Sequence, residues 1–191
     1  MWFRNLFKKK GLAVVVDTNI PLYYVGGMHE EGFLENLKGV IFIPWSVLFE
    51  LSTMWLMVTR EKEVRKNGTA EEIEKLEEFL SQLSPEEQRM RRTKSIRIPI
   101  AYPFVQKKIE QGKWKLIGSD TDIKPYLEGF NGRVEKKVKR SDAKILACCL
   151  FLADGLNFKK VVLLTRDKDL RDIAKEWGIQ TEGALSEVIK N

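Results

Sequence analysis

The sequence predicts an α/β protein built on a central parallel sheet, and three observations carry the prediction. Val14-Val15-Val16, Val40-Ile41-Phe42-Ile43 and Val161-Val162-Leu163-Leu164 are apolar, largely β-branched runs, the kind buried on both faces inside parallel sheets. Stretches of helical spacing separate them, which implies right-handed crossovers between parallel strands. The first and third runs also pass directly into short polar segments, Asp17-Thr18-Asn19 and Thr165-Arg166-Asp167-Lys168-Asp169. In an open α/β sheet such positions, just beyond the carboxyl ends of strands, are where ligands collect.

A chain of 191 residues suits one full domain better than two with separate cores. Hydrophobic residues at 43% and charged residues at 31% are ordinary for a globular protein. The net charge of +6 leaves room for a polyanionic partner without demanding one. Cys148 and Cys149 are adjacent in an apolar helical stretch, and the chain has no others. They read as reduced, buried and inert, which suits an intracellular setting, nuclear or cytoplasmic. The single histidine, His29, has no Cys or His nearby in sequence and reads as a surface residue. With one histidine far from the acidic segments, Ser-His-Asp and Cys-His catalysis are excluded, and no Walker-type glycine loop is present. Residues 1–11 form a basic and aromatic arm (Trp2, Phe3, Phe7, then Lys8-Lys9-Lys10) without the apolar core and cleavage site of a signal peptide. It reads either as a flexible arm or as the edge of a domain within a longer protein.

After the first strand, residues 21–25 continue as a short helix ended by Gly26-Gly27, and 30–37 predict a second one closed by Gly39. The second strand ends at Pro44 and feeds an apolar helix from about Trp45 to Thr59. Between Val40 and Thr59 the one ionisable side chain is Glu50, while Val47, Leu51, Met54, Trp55 and Val58 fall at helical spacing. Glu50 would cost several kcal/mol if buried unpaired, and a membrane span would set a charge at its midpoint. Glu50 is therefore expected at a helix edge facing a cation, with pairing to a Lys or Arg of the chain left open. From Arg60 to Arg92 charges of both signs surround a sparse apolar set, which predicts one or two exposed amphipathic helices broken near Ser84-Pro85 and a solvated surface. Residues 95–102 are expected to contain a short strand, 104–111 a helix, 114–117 another short strand, and 118–131 turns. Asp120 and Asp122 lack the ligand spacing of a calcium loop. Arg133, Lys136, Lys137, Lys139 and Arg140 make the densest basic cluster, directly before Ser141-Asp142, where a buried helix begins with Ser141 suited to cap it. A helix over 170–177, an edge strand over 179–181 and a helix over 185–189 complete the chain.

Four acids thus occupy comparable places: Asp17 and Asp167 at strand ends, Glu50 and Asp142 in the helices at 45–59 and after Ser141. For Asp17 the alternative role is a helix cap. If the strands carrying Asp17 and Asp167 are neighbours, the four converge at one edge of the sheet. Clustered carboxylates raise one another's pKa. A hard divalent cation resolves this, and an all-oxygen set favours Mg²⁺ or Mn²⁺ over zinc. Such an ion beside a basic cluster makes a site that attracts and cuts a phosphodiester. Phosphatases with an aspartate nucleophile need a second aspartate where Asn19 stands.

The motifs, taken in order, resemble those of PIN domains. They are Val14-Val15-Val16-Asp17-Thr18-Asn19, Ile43-Pro44-Trp45 leading to Glu50, Asp142 before Ile145-Leu146-Ala147-Cys148-Cys149-Leu150, and Leu164-Thr165-Arg166-Asp167-Lys168-Asp169-Leu170. The match is nearest to the PINc branch of eukaryotic RNA-surveillance endoribonucleases. It covers about 12–60 and 139–182, so the expected organisation is one PIN-like domain over 12–191 with a largely helical insertion at about 60–138. The resemblance implies a three-layer α/β/α fold and a metal-dependent endoribonuclease acting on single-stranded RNA. By position, Asp17, Glu50, Asp142 and Asp167 would be the metal-binding acids, supported by Thr18, Asn19, Thr165 and Asp169. Arg133, Lys136, Lys137, Lys139 and Arg140 would meet RNA, and the insertion would offer a surface to protein partners. Ser141 stands where many relatives carry a second acid, which would weaken a second metal site. A catalytically silent RNA- or protein-binding module, a structure-specific DNA nuclease and a toxin of a toxin–antitoxin pair stay open as alternatives. Oligomeric state is not legible.

Overall fold

A computed structural model describes residues 10–26, 39–131 and 140–182. The expected helices over 30–37 and 185–189, the N-terminal arm up to residue 9, His29, and four of the five basic residues (Arg133, Lys136, Lys137 and Lys139) lie outside the described residues.

The three apolar runs are strands β1 (Lys10–Val16), β2 (Val40–Pro44) and β4 (Phe158–Leu164). Two short strands join them, β3 (Trp114–Ile117) and β5 (Gln180–Glu182). All pair in parallel, in the order β3-β2-β1-β4-β5. Val14, Val15 and Val16 are fully buried and stand opposite Val162, Leu163 and Leu164. This is the both-faces burial that β-branched runs in parallel sheets require. From β1 the chain steps one way to β2 and β3, then returns past β1 to β4 and β5. With right-handed crossovers, this reversal sends the connecting helices to opposite faces and gives three layers. The topological switch point falls between β1 and β4.

Helices α1 (Asn19–Val25), α2 (Trp45–Asn67), α3 (Ala70–Ser81), α4 (Pro85–Glu110), α5 (Asp120–Asn131), α6 (Arg140–Leu150) and α7 (Lys168–Glu176) fill the connections. On α2, Val47, Leu51 and Val58 are buried, following the predicted stripe. The helix runs past Thr59 to Asn67, where Gly68 ends it. Among the described residues no helix is long and apolar enough to cross a membrane. The break at Ser84-Pro85 is a capping box: Ser84 Oγ accepts from the Glu87 N–H, the Glu87 side chain accepts from the Ser84 N–H, and Pro85 opens α4.

Three expectations are overturned. Residues 95–102 are not a strand but the middle of α4. Their alternation of Ile96, Ile98 and Ile100 looks like a strand, yet Ile96 and Ile100 are exposed. The buried set is Ile98, Ala101 and Val105, at helical intervals. Nor are residues 118–131 turns, since α5 begins at Asp120. Ser119 Oγ donates to Asp122 Oδ2 at 2.6 Å and accepts from the Asp122 N–H at 3.4 Å. This reciprocal cap starts the helix, and Ile123 buries its inner face. Ser141, expected as a cap, lies inside α6, which already includes Arg140. The middle of the chain is helical over most of its length and is stitched into the fold. It supplies the edge strand β3 and, through Ile98, Ala101 and Val105, part of the core.

Cys148 and Cys149 are free thiols buried in α6. Burial pushes Cys148 up to about 12 and Cys149 well above the usual thiol range, so neither is a nucleophile at neutral pH.

Candidate active site

The switch point places Asp17 one residue past β1 and Asp167 three residues past β4, on neighbouring strands whose last residues, Val16 and Leu164, are paired. The Asp17 N–H extends the ladder by one bond, donating to the Leu164 carbonyl at 3.0 Å. The backbone alone therefore holds Asp17 at the sheet's carboxyl edge.

Asp17 is 5% exposed and both its oxygens are engaged. Oδ1 accepts from the Thr18 N–H at 2.6 Å, and Oδ2 accepts from Thr165 Oγ1 at 2.8 Å and more weakly from Asn19 Nδ2 at 3.4 Å. It does not cap α1: Thr18 is the capping residue, and its side chain makes no cap bond. Burial is the main cause that raises the Asp17 carboxyl from 3.8 to about 6. The bonds from Thr165 and Thr18 oppose it, while the charges of Asp142 and Glu50 push in the same direction. Asp17, Glu50 and Asp142, from three separate elements, therefore share one electrostatic neighbourhood.

Two threonines link the acids. Thr18 gives its N–H to Asp17 and its hydroxyl to Glu50 Oε2 at 2.7 Å. Thr165, fully buried, donates to Asp17 and accepts from the Asp167 N–H at 3.1 Å. Asp167 caps α7, its Oδ1 accepting from the Leu170 N–H at 3.1 Å. Glu50 lies on the exposed side of α2 with the Thr18 hydroxyl as its partner. Asp169 is exposed in the first turn of α7, away from the hydrogen bonds that join the others. Thr165→Val is expected to raise the Asp17 carboxyl above 6, because it removes the bond that most favours the charged form. A carboxyl ¹³C NMR titration of chelator-treated protein reads the shift.

The donors suit a hard divalent cation in kind, being all carboxylate oxygens in a mutually repelling cluster. As the side chains stand, however, no three Asp, Glu, His or Cys residues among the described ones are close enough to hold an ion. Thr18 and Thr165 each hydrogen-bond one oxygen, of Glu50 and Asp17 respectively, which leaves lone pairs on both carboxylates.

Beside Glu50 opens a groove of about 870 Å³, lined by Trp45, Phe49, Met54, Gly118, Arg140 and Lys144 among others. Phe49 is 72% exposed and Trp45 50%. On the other side, next to Asn19, Tyr23 carries two guanidinium groups, Arg166 at 4.4 Å and Arg97 at 5.5 Å from the ring centre. Sequence reading missed Tyr23 and Arg97. The signal was there: Arg89, Thr93 and Arg97 recur every four residues, one stripe of a helix once 95–102 is read as helical.

The family model for the PIN domain matches residues 14–185. No curated protein matches the sequence. Among solved structures, the chain is similar to one in the crystal structure of VapBC2 from Rickettsia felis bound to a DNA fragment from their promoter. Identity is 16%, the alignment covers 89% of this chain and 97% of that one, and the TM-score is 0.46.

Proposed function

Because the chain belongs to the PIN-domain family, whose members are in general nucleases that use divalent metal ions, we propose that it is an endoribonuclease that hydrolyses phosphodiester bonds of single-stranded RNA with Mg²⁺ or Mn²⁺. The observation that carries this reading is the Asp17 carboxyl, buried at the switch point within electrostatic reach of Glu50 and Asp142 and tied to Asp167 through Thr165. Asp17, Glu50, Asp142 and Asp167 would hold the ion. When bound, it would lower the pKa of a water and offset negative charge on the phosphate undergoing attack. The chain's own part is positioning: Thr165 fixes Asp17 Oδ2, Thr18 fixes Glu50 Oε2, and the first turn of α7 fixes Asp167 Oδ1. Trp45 and Phe49 offer exposed aromatic faces beside Glu50 on which unpaired bases stack, which favours a single strand over a duplex. Arg140 at the groove, with Arg133, Lys136, Lys137 and Lys139 before it in sequence, would draw in the phosphate backbone. A role in RNA surveillance in the nucleus or cytoplasm, with protein partners on the middle helices, is the further part of the proposal and rests on the sequence motifs.

One observation favours a second reading, a silent PIN fold that binds RNA or protein: no three acidic side chains among the described residues stand close enough together to share one ion. Cleavage of an unstructured RNA and of the matching DNA strand in Mg²⁺, Mn²⁺ and EDTA, with RNA binding measured in EDTA, separates the readings. The expected result is metal-stimulated cutting of RNA that EDTA abolishes. Binding with no cutting in either metal would establish the silent module, and preferential cutting of DNA would replace RNA as substrate.

A further inference from the structure

The charged stretch from Arg60 to Arg92, together with the residues after it, is not uniformly a solvated surface. On α2, α3 and the start of α4 most arginines are matched: Arg60 to Glu63 and Glu72, Arg65 to Glu61 and Glu77, Arg91 to Glu61. Arg89, Lys94 and Arg97 differ, making no ion pair with any described residue. They line a groove of about 260 Å³ together with Met90, Asn19 and Tyr23. Its end at Asn19 adjoins Asp17, to which Asn19 donates.

The groove's inner end is organised for charge. Arg97 lies across the last turn of α1, where Gly26 leaves it room: a Cβ there would meet the guanidinium at 2.8 Å. Tyr23 holds Arg97 and Arg166 over the same ring. Each gains from the ring face, and the contact holds the Arg97 guanidinium at the groove's inner end, where an anion would meet it without further ordering of the side chain. From Arg89 to Arg97 the helix advances about 12 Å, a span that takes in more than one phosphate.

We propose that the groove between α1 and α4 seats the phosphodiester backbone of the RNA strand where it leaves the acids, with Arg97 contacting the phosphate nearest Asp17 and Lys94 and Arg89 the ones beyond. This rests on the endoribonuclease reading and adds to it the track that orients the strand. Phosphate contacts of this kind fix register without reading sequence, so the groove serves any single strand that the acids accept.

The test is fluorescence anisotropy with a 5′-fluorescein oligouridylate in EDTA, at several salt concentrations. The proteins are the wild type, the triple variant Arg89→Ala/Lys94→Ala/Arg97→Ala, the surface pair Arg89→Glu/Lys94→Glu and the control Arg65→Ala. The triple variant is expected to bind at least about 30-fold more weakly, with the slope of log affinity against log salt reduced by about 2. The charge-reversed pair, confined to exposed positions, tests the groove without touching the packing at Tyr23 and should weaken binding at least tenfold. The control should stay within about twofold of wild type. Wild-type affinity and salt slope in both groove variants would overturn the proposal. Cleavage in Mg²⁺ or Mn²⁺ is scored separately on the wild type. Collapse of binding in the variants with no cutting by the wild type refutes the nuclease and leaves the groove, whereas cutting with unaffected variants refutes the groove alone.

Discussion

Asp17→Asn is expected to reduce RNA cleavage by about 10²–10³-fold, the scale of loss when one group that stabilises developing charge is removed, while the protein stays folded. Asn is nearly the same size and keeps an acceptor oxygen for the Thr165 hydroxyl, so the link to Asp167 survives, while its NH2 group takes the place of the oxygen that accepts from the Thr18 N–H and that one bond is lost. Wild-type rates from this variant in metal-replete buffer would refute the assignment. Stability should depend on pH. The Asp17 carboxyl sits at about 6 in the fold against 3.8 as the reference value, so the folded state resists its ionisation. As pH rises from 3.8 the unfolded chain loses this proton first, and stability falls until about pH 6, beyond which the full penalty applies. That penalty is about 3 kcal/mol from the size of the shift. Asn never ionises, so in EDTA the stability of the variant relative to wild type, read by urea unfolding, should improve by up to about 3 kcal/mol between about pH 4 and pH 7, against a pH-independent cost of about 1–3 kcal/mol for the lost Thr18 bond. Adding Mg²⁺ or Mn²⁺ should stabilise the wild type by mass action and leave the variant unmoved.

The parts of this site that could be read from sequence are those set by backbone pattern. A both-faces-buried strand declares itself by its apolar run, and the residue after it is then placed by geometry, which is why Asp17 and Asp167 were recoverable. That β1 and β4 are neighbours was only a condition in the sequence; the register Val16 to Leu164 supplies it. Glu50 stood out by being the lone ionisable group on an apolar helix, and Thr18 was legible as a supporting residue through the family motif, but the pairing of the two was not. A hydroxyl 32 positions away, Thr18, leaves no periodic trace. α4 misled because Ile96, Ile98 and Ile100 alternate, although the face that packs is Ile98, Ala101 and Val105. That error hid the stripe of Arg89, Thr93 and Arg97, since a cationic face exists only once the segment is helical. α5 was hidden by composition: Gly118, Asp120, Thr121 and Pro125 look like turn residues, whereas the Ser119–Asp122 cap decides the matter.

Gly118→Ala should be among the most damaging single-methyl changes the chain can undergo, at least about 3 kcal/mol, because two independent costs meet at one residue. Gly118 follows β3 with φ +81, a left-handed conformation that costs an L-residue about 1–2 kcal/mol. A Cβ there would also overlap the Sγ of Cys148 and press on Ile123 Cγ2 at 3.3 Å. Cys148 is 1% exposed and packed in α6, so it has nowhere to go. Gly112 separates the two costs. Its φ is +68, close to that of Gly118, but a Cβ there meets nothing within 4 Å. Gly112→Ala should therefore lose only the backbone part, about 1–2 kcal/mol. Cys148→Ala in the Gly118→Ala background removes the clashing sulfur and should recover at least about 1 kcal/mol relative to the sum of the single changes. Urea unfolding of the wild type, the two glycine variants, Cys148→Ala and the double variant reads all of this. A midpoint for Gly118→Ala equal to that of Gly112→Ala would show that Cys148 yields freely, and that the close approach of β3's end to α6 does not constrain the groove floor beside Glu50.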